Sequence, residues 1–406
     1  MYIKRHIEEA VRKRAEVRGA VVITGARQVG KTTLLENIIP HVQKVTLDHI
    51  PTRISALNEA SAFFSLNPPP LFIDEVQYAP DLFNYIKIEI DKTKKKGMFF
   101  LTGSQKYQLM LNVSESLAGR VGILDMLGLS MREINGDSFD KPFVPNIDYL
   151  MARNKSSSKH DINIIWQKIH RGFMPELVAN PGMGWEEFYS DYIKSYLERD
   201  VRALAQVGDE GDFLKFMTAC AAMTGQILNL SSISRDIGIS QPTAKRWLSI
   251  LETSGVIYLL KPYSNNLLKR TIKTPKLYFL DTGLASYLSM WITPDTLRVG
   301  AMNGQMFETF VICEILKSYY NAGKTPNMYY LRTASGQEVD ILLCQDNVYY
   351  PLECKVSAEP SLRDIKHFQI LEELSGINVG EGGVICMAQD LLPLSQKHKI
   401  IPVWAI

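Results

Sequence analysis

The stretch Gly25-Ala26-Arg27-Gln28-Val29-Gly30-Lys31-Thr32 decides how the rest of this chain is read. It has the form G-x-x-x-x-G-K-[ST], in which the glycines let the backbone turn so that successive N–H groups face one point. The apolar, β-branched run GAVVIT (Gly19–Thr24) precedes it and reads as a buried strand. The helical stretch TTLLENII follows and is stopped by Pro40. A helix that begins directly after such a turn adds its positive N-terminal end to the same point. Strand, glycine turn and helix together predict a phosphate cradle built from Gly25, Gln28, Val29, Gly30, Lys31, Thr32 and Thr33. Lys31 is expected to reach the β- and γ-phosphates, and the Thr32 hydroxyl to hold Mg²⁺. The plainer alternative is a glycine turn with a surface lysine.

Working outward, LFIDE places Asp74 and Glu75 at the end of a second apolar strand. Behind a phosphate loop this is the arrangement in which Asp74 holds the Mg²⁺ shell and Glu75 polarises the attacking water. Alone, two acids at a strand exit are common. The strand MFFLT then leads into Gly103-Ser104-Gln105. Ser104 or Gln105 is read as a sensor of the γ-phosphate, or as a polar strand cap. Arg120 in SLAGR is read either as an arginine finger acting in trans from a neighbouring subunit or as a structural ion pair. Lys92-Thr93-Lys94-Lys95-Lys96 reads as a solvated helix end. Strands alternating with helices predict a parallel α/β sheet ending near Ile134. No G-x-G-x-x-G is present, so a dinucleotide-binding reading has no support.

Composition narrows the classes. Of 406 residues, Lys+Arg number 45 and Asp+Glu 43, a net charge of +2, which excludes a polybasic binder and confines any nucleic-acid surface to a local patch. Five scattered cysteines form no C-x-x-C pair, which argues against a disulfide or zinc framework and for a reducing, cytoplasmic setting. No stretch approaches a membrane span of about 20 apolar residues.

GARQVGKTTLL, LFIDEVQYAPDLF, FFLTGS and SLAGR resemble a prokaryotic group of AAA-type P-loop ATPases whose members carry a C-terminal domain of unknown function. The likeness continues through SYLERDV (195–201), PKLYFLDTGLASYL (275–288) and GQEVDILL (336–343). It implies ATP as the nucleotide, with contacts at Gly30, Lys31, Thr32, Asp74 and Glu75.

Leu230–Glu252 has helix-turn-helix grammar. Ser231 is the expected N-cap of a first helix, Gly238 the turn, and Ser240 the cap of a second helix with Pro242 in its first turn. GVIYLLKPYS and PKLYFLD read as the two strands of a wing. A DNA reading puts Gln241, Thr243, Lys245 and Arg246 at the major groove, and Lys269, Arg270 and Lys273 in the wing. The competing reading is a module that packs against protein.

Farther on, Glu308 lies in a helix, Asp340 in a strand, and Glu353-Cys354-Lys355 in the next strand, with twelve residues between Asp340 and Glu353. The pattern resembles the PD-(D/E)xK nuclease core, with E-V-D in place of P-D. Asp340 and Glu353 are expected to bind Mg²⁺, Lys355 to position or deprotonate water, and Glu308 to orient the shell. Strand alternation puts Glu353 and Lys355 on one face. An accidental charge pair is the alternative, and such cores are often inactive binders.

The expected organisation is a P-loop α/β domain (1–135), a helical linker or lid (136–225), a winged helix (226–292) and a restriction-endonuclease-like α/β domain (293–406). GDSFDKPFVPN and RNKSSSKHD are read as loops or linkers. Two functions compete: a Mg²⁺-dependent ATPase coupled to binding or processing of DNA or another nucleic acid, and an ATP-driven signalling or scaffolding switch with an inactive nuclease-like domain. A homo-oligomer and an unidentified protein partner are open in both.

Overall fold

The computed structural model describes residues 2–103, 117–156, 161–197, 210–263, 273–372 and 377–406. The first unit runs α1 (Ile7–Val17), β1 (Ala20–Thr24), α2 (Lys31–Ile38), β2 (Gln43–Thr46), α3 (Ile50–Asn58), α4 (Ala60–Leu66), β3 (Leu71–Asp74), α5 (Leu82–Thr93), β4 (Phe99–Gly103) and β5 (Val121–Asp125). Its five strands are all parallel, in the order β2-β3-β4-β1-β5. β1, β3 and β4 are buried at every position, as a parallel sheet covered on both faces requires. Alternation divides their side chains: Val21, Ile23, Phe72 and Phe100 enter one core, while Ala20, Val22, Leu71, Ile73, Phe99 and Leu101 enter the other with Phe83 and Ile86 of α5. Thr24, Asp74 and Gly103 all end their strands at the same edge of the sheet, and the loops gathered there form the site.

A helical stretch follows: α6 (Met131–Ile134), α7 (Ile147–Ser156), α8 (Ile162–Arg171), α9 (Pro175–Ala179), α10 (Trp185–Tyr196) and α11 (Glu210–Ala222). The segment RNKS (153–156), read from sequence as linker, is instead the end of α7. Its Arg153 is buried, with Nη1 on Asp137 at 2.6 Å and Nη2 on the Trp404 carbonyl at 2.9 Å, so polar composition here serves an internal bond.

The next unit is β6 (Gln226–Ile227), α12 (Leu230–Ile237), α13 (Gln241–Thr253), β7 (Ile257–Leu260) and β8 (Lys276–Phe279), with the antiparallel sheet β6-β8-β7 against the helix pair. Ser240 caps α13 and the left-handed Gly238 ends α12, both as expected. The cap of α12, however, is Asn229, whose Oδ1 accepts from the Ser232 amide at 3.0 Å, not Ser231. Ser231 is already inside the first turn.

After α14 (Thr282–Leu288), α15 (Pro294–Val299) and α16 (Asn303–Asn321), the last unit holds β9 (Asn327–Arg332), β10 (Glu338–Gln345), β11 (Val348–Lys355), β12 (Asn378–Val379), β13 (Gly382–Cys386), β14 (Leu392–Pro393) and β15 (His398–Pro402). They form one mixed sheet, β14-β15-β13-β11-β10-β9, with β12 beside β11. One apolar core joins the units, running from Val21 through Trp166, Tyr196, Trp247 and Phe310 to Trp404. The turn after α13 lies against the phosphate loop: a Cβ on Gly255 would stand 3.2 Å from the Ala26 nitrogen, and the Tyr196 hydroxyl bonds Ser254 at 2.7 Å. No helix among the described residues is long and apolar enough to cross a membrane.

Candidate functional site

The loop between β1 and α2 is wound through three left-handed or near-left-handed residues, Gly25 (φ 149°), Gln28 (φ 60°) and Gly30 (φ 92°). A Cβ at Gly25 would fall 2.1 Å from the Met126 carbonyl oxygen, so only glycine fits. Gln28 adopts a left-handed backbone without being glycine, a strain typical of ligand-gripping loops. Gly30 is the N-cap of α2, which aims that helix's free amides into the loop. Lys31 is buried, and its ammonium donates to the carbonyls of Gly25 and Ala26 at 2.9 and 2.8 Å.

Beneath the loop, Asp74 ends β3. One of its carboxylate oxygens accepts from Thr32 Oγ1 at 2.9 Å and from Thr102 Oγ1 of the neighbouring β4. Its other oxygen is 3.8 Å from Lys44 Nζ. Glu75 turns out of the strand through a left-handed backbone, φ 56°, and Gln77 Nε2 donates to it. A cleft of about 730 Å³ opens here, with Gln28, Gly30, Lys31, Thr32, Thr33 and Glu75 on its polar side and Tyr2, Ile3, Leu129, Pro175 and Ala179 on its apolar side.

These residues suit a nucleotide tail with its magnesium. An ammonium, loop amides and a helix N-terminus present only donors, while Thr32 and Asp74 offer the hard oxygens that magnesium takes alongside phosphate oxygens and water. The apolar wall has room for a base.

Thr102 was not singled out from sequence, although it stands directly before Gly103-Ser104 and its hydroxyl reaches Asp74. Ser104 and Gln105 lie outside the described residues. Arg120 is not at this site. It immediately precedes β5, at the edge of the sheet opposite the loop, and grips Asp91 of α5 through Nε at 2.6 Å and Nη2 at 2.9 Å. Within one chain the ion-pair reading of Arg120 is the one that holds.

The second constellation does assemble, with an addition that changes its chemistry. Asp340 on β10, Glu353 and Lys355 on β11, and Glu308 on α16 converge; Asp340 Oδ2 accepts from the Cys354 amide at 3.0 Å, and Lys355 Nζ meets Glu353 Oε1 at 2.8 Å. Into their midst β8 of the preceding sheet sends Lys276. Its ammonium is 2.9 Å from Glu308 Oε1, 2.5 Å from Glu338 Oε1 and 3.7 Å from Asp340 Oδ1, and Tyr278 donates to Glu308 at 2.5 Å. Of the expected magnesium ligands, Asp340 faces the Lys276 ammonium and Glu353 faces Lys355, and among the described residues no group of three or more acidic, His or Cys side chains is arranged to hold a metal. Burial pushes Glu308 up to about 7, Lys276 opposing and Asp340 adding to the rise. Burial and then Asp340 push Glu353 up to about 8, against Lys355. Burial would lower Lys276, but Glu308 first, with Tyr278, Asp340 and Glu338, holds it well above its ordinary range. Sequence reasoning missed Lys276, Tyr278 and Glu338. The available signal was a lysine and a tyrosine two apart in the apolar strand PKLYF, and Glu338 two before Asp340.

On α13, Ala244, Trp247, Leu248 and Leu251 are buried as expected, and Gln241, Lys245 and Arg246 are exposed. Thr243 is half-buried and shares a bond with Ser240 at 2.8 Å. Lys273 is exposed, whereas Lys269 and Arg270 lie outside the described residues.

Loop, acid strand and parallel sheet are those of a P-loop ATPase, an enzyme that hydrolyses ATP. The family described as "AAA domain" matches residues 17–135; two families, each described as a domain of unknown function (DUF8612 and DUF4143), match residues 162–295 and 303–406. The uncharacterized proteins Mb2031c of Mycobacterium bovis and Rv2008c of Mycobacterium tuberculosis are each 28% identical over 405 residues, spanning 99% of this chain and 84% of theirs. Among solved structures, the Walker-type ATPase PABY2304 of Pyrococcus abyssi is 12% identical, with a TM-score of 0.43 over 71% of this chain and 96% of that one.

Proposed function

We propose that this chain is a magnesium-dependent ATPase that couples hydrolysis to contact with DNA or another nucleic acid through α13, and that its C-terminal sheet binds without cutting. The observation that carries the ATPase half is the bonded set Lys31, Thr32, Asp74 and Thr102 beneath a loop that only glycine can form at residue 25. The loop amides and Lys31 hold the phosphates, Thr32 and Asp74 would hold Mg²⁺, which offsets charge on the phosphate oxygens, and Glu75 polarises the attacking water. Thr102 keeps Asp74 turned toward Thr32.

The nucleic-acid half is supported by Gln241, Lys245 and Arg246 standing exposed along one helix preceded by a cap and a left-handed turn, the arrangement of a helix-turn-helix; with the hairpin β7–β8 it reads as a winged helix. The seam at Ala26 and Gly255 gives this unit direct contact with the phosphate loop. For the last unit we read a nuclease-like module that binds without cutting, a reading supported by the Lys276 ammonium set among Glu308, Glu338 and Asp340. That favours, for this unit alone, the competing view of an inactive module that makes contacts, with a homo-oligomer or a protein partner as its target.

Turnover of ATP by the full chain, with Lys31→Ala and Glu75→Gln beside it, tests the first half. Both variants are expected to be inactive, and parental turnover in either overturns the assignment. Incubation of plasmid and single-stranded DNA with Mg²⁺ or Mn²⁺ and ATP tests the last: no cutting is expected, and cutting that Asp340→Ala abolishes overturns it.

A further inference from the structure

Arg5 lies in the short segment before α1, and its side chain is almost fully buried at 3% exposure. Its guanidinium fans out to four acceptors. Nη1 donates to the Val29 carbonyl at 2.9 Å, Nη2 to the carbonyls of Leu127 and Gly128 at 2.8 and 3.2 Å, and Nε to Glu133 Oε1 at 3.0 Å. One planar group therefore ties the phosphate loop, the exit of β5 and α6 together.

Glu133 is itself held. It accepts from the amides of Ser130 at 2.7 Å and His6 at 2.9 Å, and from the Ser130 hydroxyl at 3.0 Å, closing a capping box on α6. Burial opposes its ionisation, but Arg5 and these donors hold its carboxyl below the usual range. The anchor is thus a fixed anion, and Arg5 has a firm base from which to reach Val29.

The reach matters because of the peptide plane. In a trans peptide the C=O and the following N–H point in opposite directions. When Arg5 draws the Val29 oxygen outward, it turns the Gly30 N–H the other way, into the concavity of the loop. Gly30 is the N-cap residue whose left-handed backbone launches α2, so the same bond sets where the amides of Lys31 and Thr32 point.

We infer that Arg5 is the positioning residue of the phosphate loop: it holds the loop by the Val29 carbonyl and orients the amides that grip the nucleotide tail. The inference rests on the ATPase reading. The fork is specific to arginine, since a lysine ammonium keeps the pairing with Glu133 but has no second arm for Val29.

The test is steady-state hydrolysis by the full chain. Arg5→Lys keeps the charge beside Glu133. Arg5→Met/Glu133→Gln removes the ion pair whole, so that no buried carboxylate is left without a partner. Loss of a hydrogen bond from a charged donor predicts a KM for ATP raised about tenfold or more. A merely structural role would lower the active fraction, hence kcat and melting temperature, and leave KM where it was. A KM within about threefold of the parent in either folded variant, whatever happens to kcat, overturns the inference. A parent without turnover, or Lys31→Ala with full turnover, overturns the ATPase reading and this one with it; parental turnover lost in Lys31→Ala but an unmoved KM in the Arg5 variants overturns this one alone.

Discussion

Lys276→Met is the substitution whose outcome the structure specifies most sharply. Methionine matches the length of the lysine stem, so the packing of β8 is retained and only the ammonium is lost. The ammonium is 4% exposed and serves Glu308, Glu338 and Asp340, which are 12%, 21% and 12% exposed. Removing one partner of a buried ion pair leaves the other uncompensated and costs roughly 3–5 kcal/mol. Here the figure belongs at the lower end, about 3 kcal/mol near pH 8, because water reaches Glu338 and Arg332 also pairs with it. Near pH 6 the loss should shrink, since without the ammonium Glu308 simply stays neutral. With a urea slope of about 2–3 kcal/mol/M, the midpoint should fall by on the order of 1 M at pH 8 and by clearly less at pH 6. Lys276→Met/Asp340→Asn should recover part of the loss. A midpoint at pH 8 within about 0.3 M of the parent would show that the acids are not held by this lysine, and the account of a cation supplied from within would fall.

Other expectations are as direct. Thr102→Val should lower kcat for ATP about tenfold with little change in affinity, because it frees Asp74 without touching the phosphate loop; an unchanged kcat refutes the role given to Thr102. Lys245→Ala/Arg246→Ala should weaken nucleic-acid binding and reduce the slope of log K against log salt by about 2, and a slope equal to the parent's removes α13 from the interface. His170 is buried with Nε2 at 2.7 Å from the Trp291 carbonyl, and burial lowers its basicity below the ordinary 6.5. The unfolded chain then binds the proton first, so stability should be full above about pH 6.5 and fall as the pH drops below it. His170→Gln should flatten that fall, and an identical acid limb in the variant refutes the assignment.

The phosphate loop was legible because everything that shapes it is local: two glycines, a lysine and a threonine between one strand and one helix. Asp74 and Glu75 were legible for the same reason, as acids at the end of an apolar strand. What escaped reading depends on residues far apart in sequence. Lys276 looks like a polar interruption of an apolar strand until β8 is laid beside α16 and β10; only then does it become the counter-ion of three acids. Arg5 looks like one charge among many near the N-terminus, and its four bonds go to segments that the fold brings to it. Arg153 was mistaken for linker because polar composition marks a loop only when the polar groups face water. The cap of α12 slipped from Ser231 to Asn229 because both can accept the same kind of bond, and backbone geometry, not residue type, decides between them.

Gly255 has a mechanical consequence. α13 spans 13 residues, about 20 Å at 1.5 Å per residue. Its inner end abuts Ala26 of the nucleotide-gripping turn, and its outer end displays Gln241, Lys245 and Arg246. A rod held that way is a lever: a tilt of about 3° at the inner end sweeps the outer end through about 1 Å, enough to break or make a hydrogen bond. A side chain at residue 255 would wedge the two segments apart and leave the lever without its fulcrum.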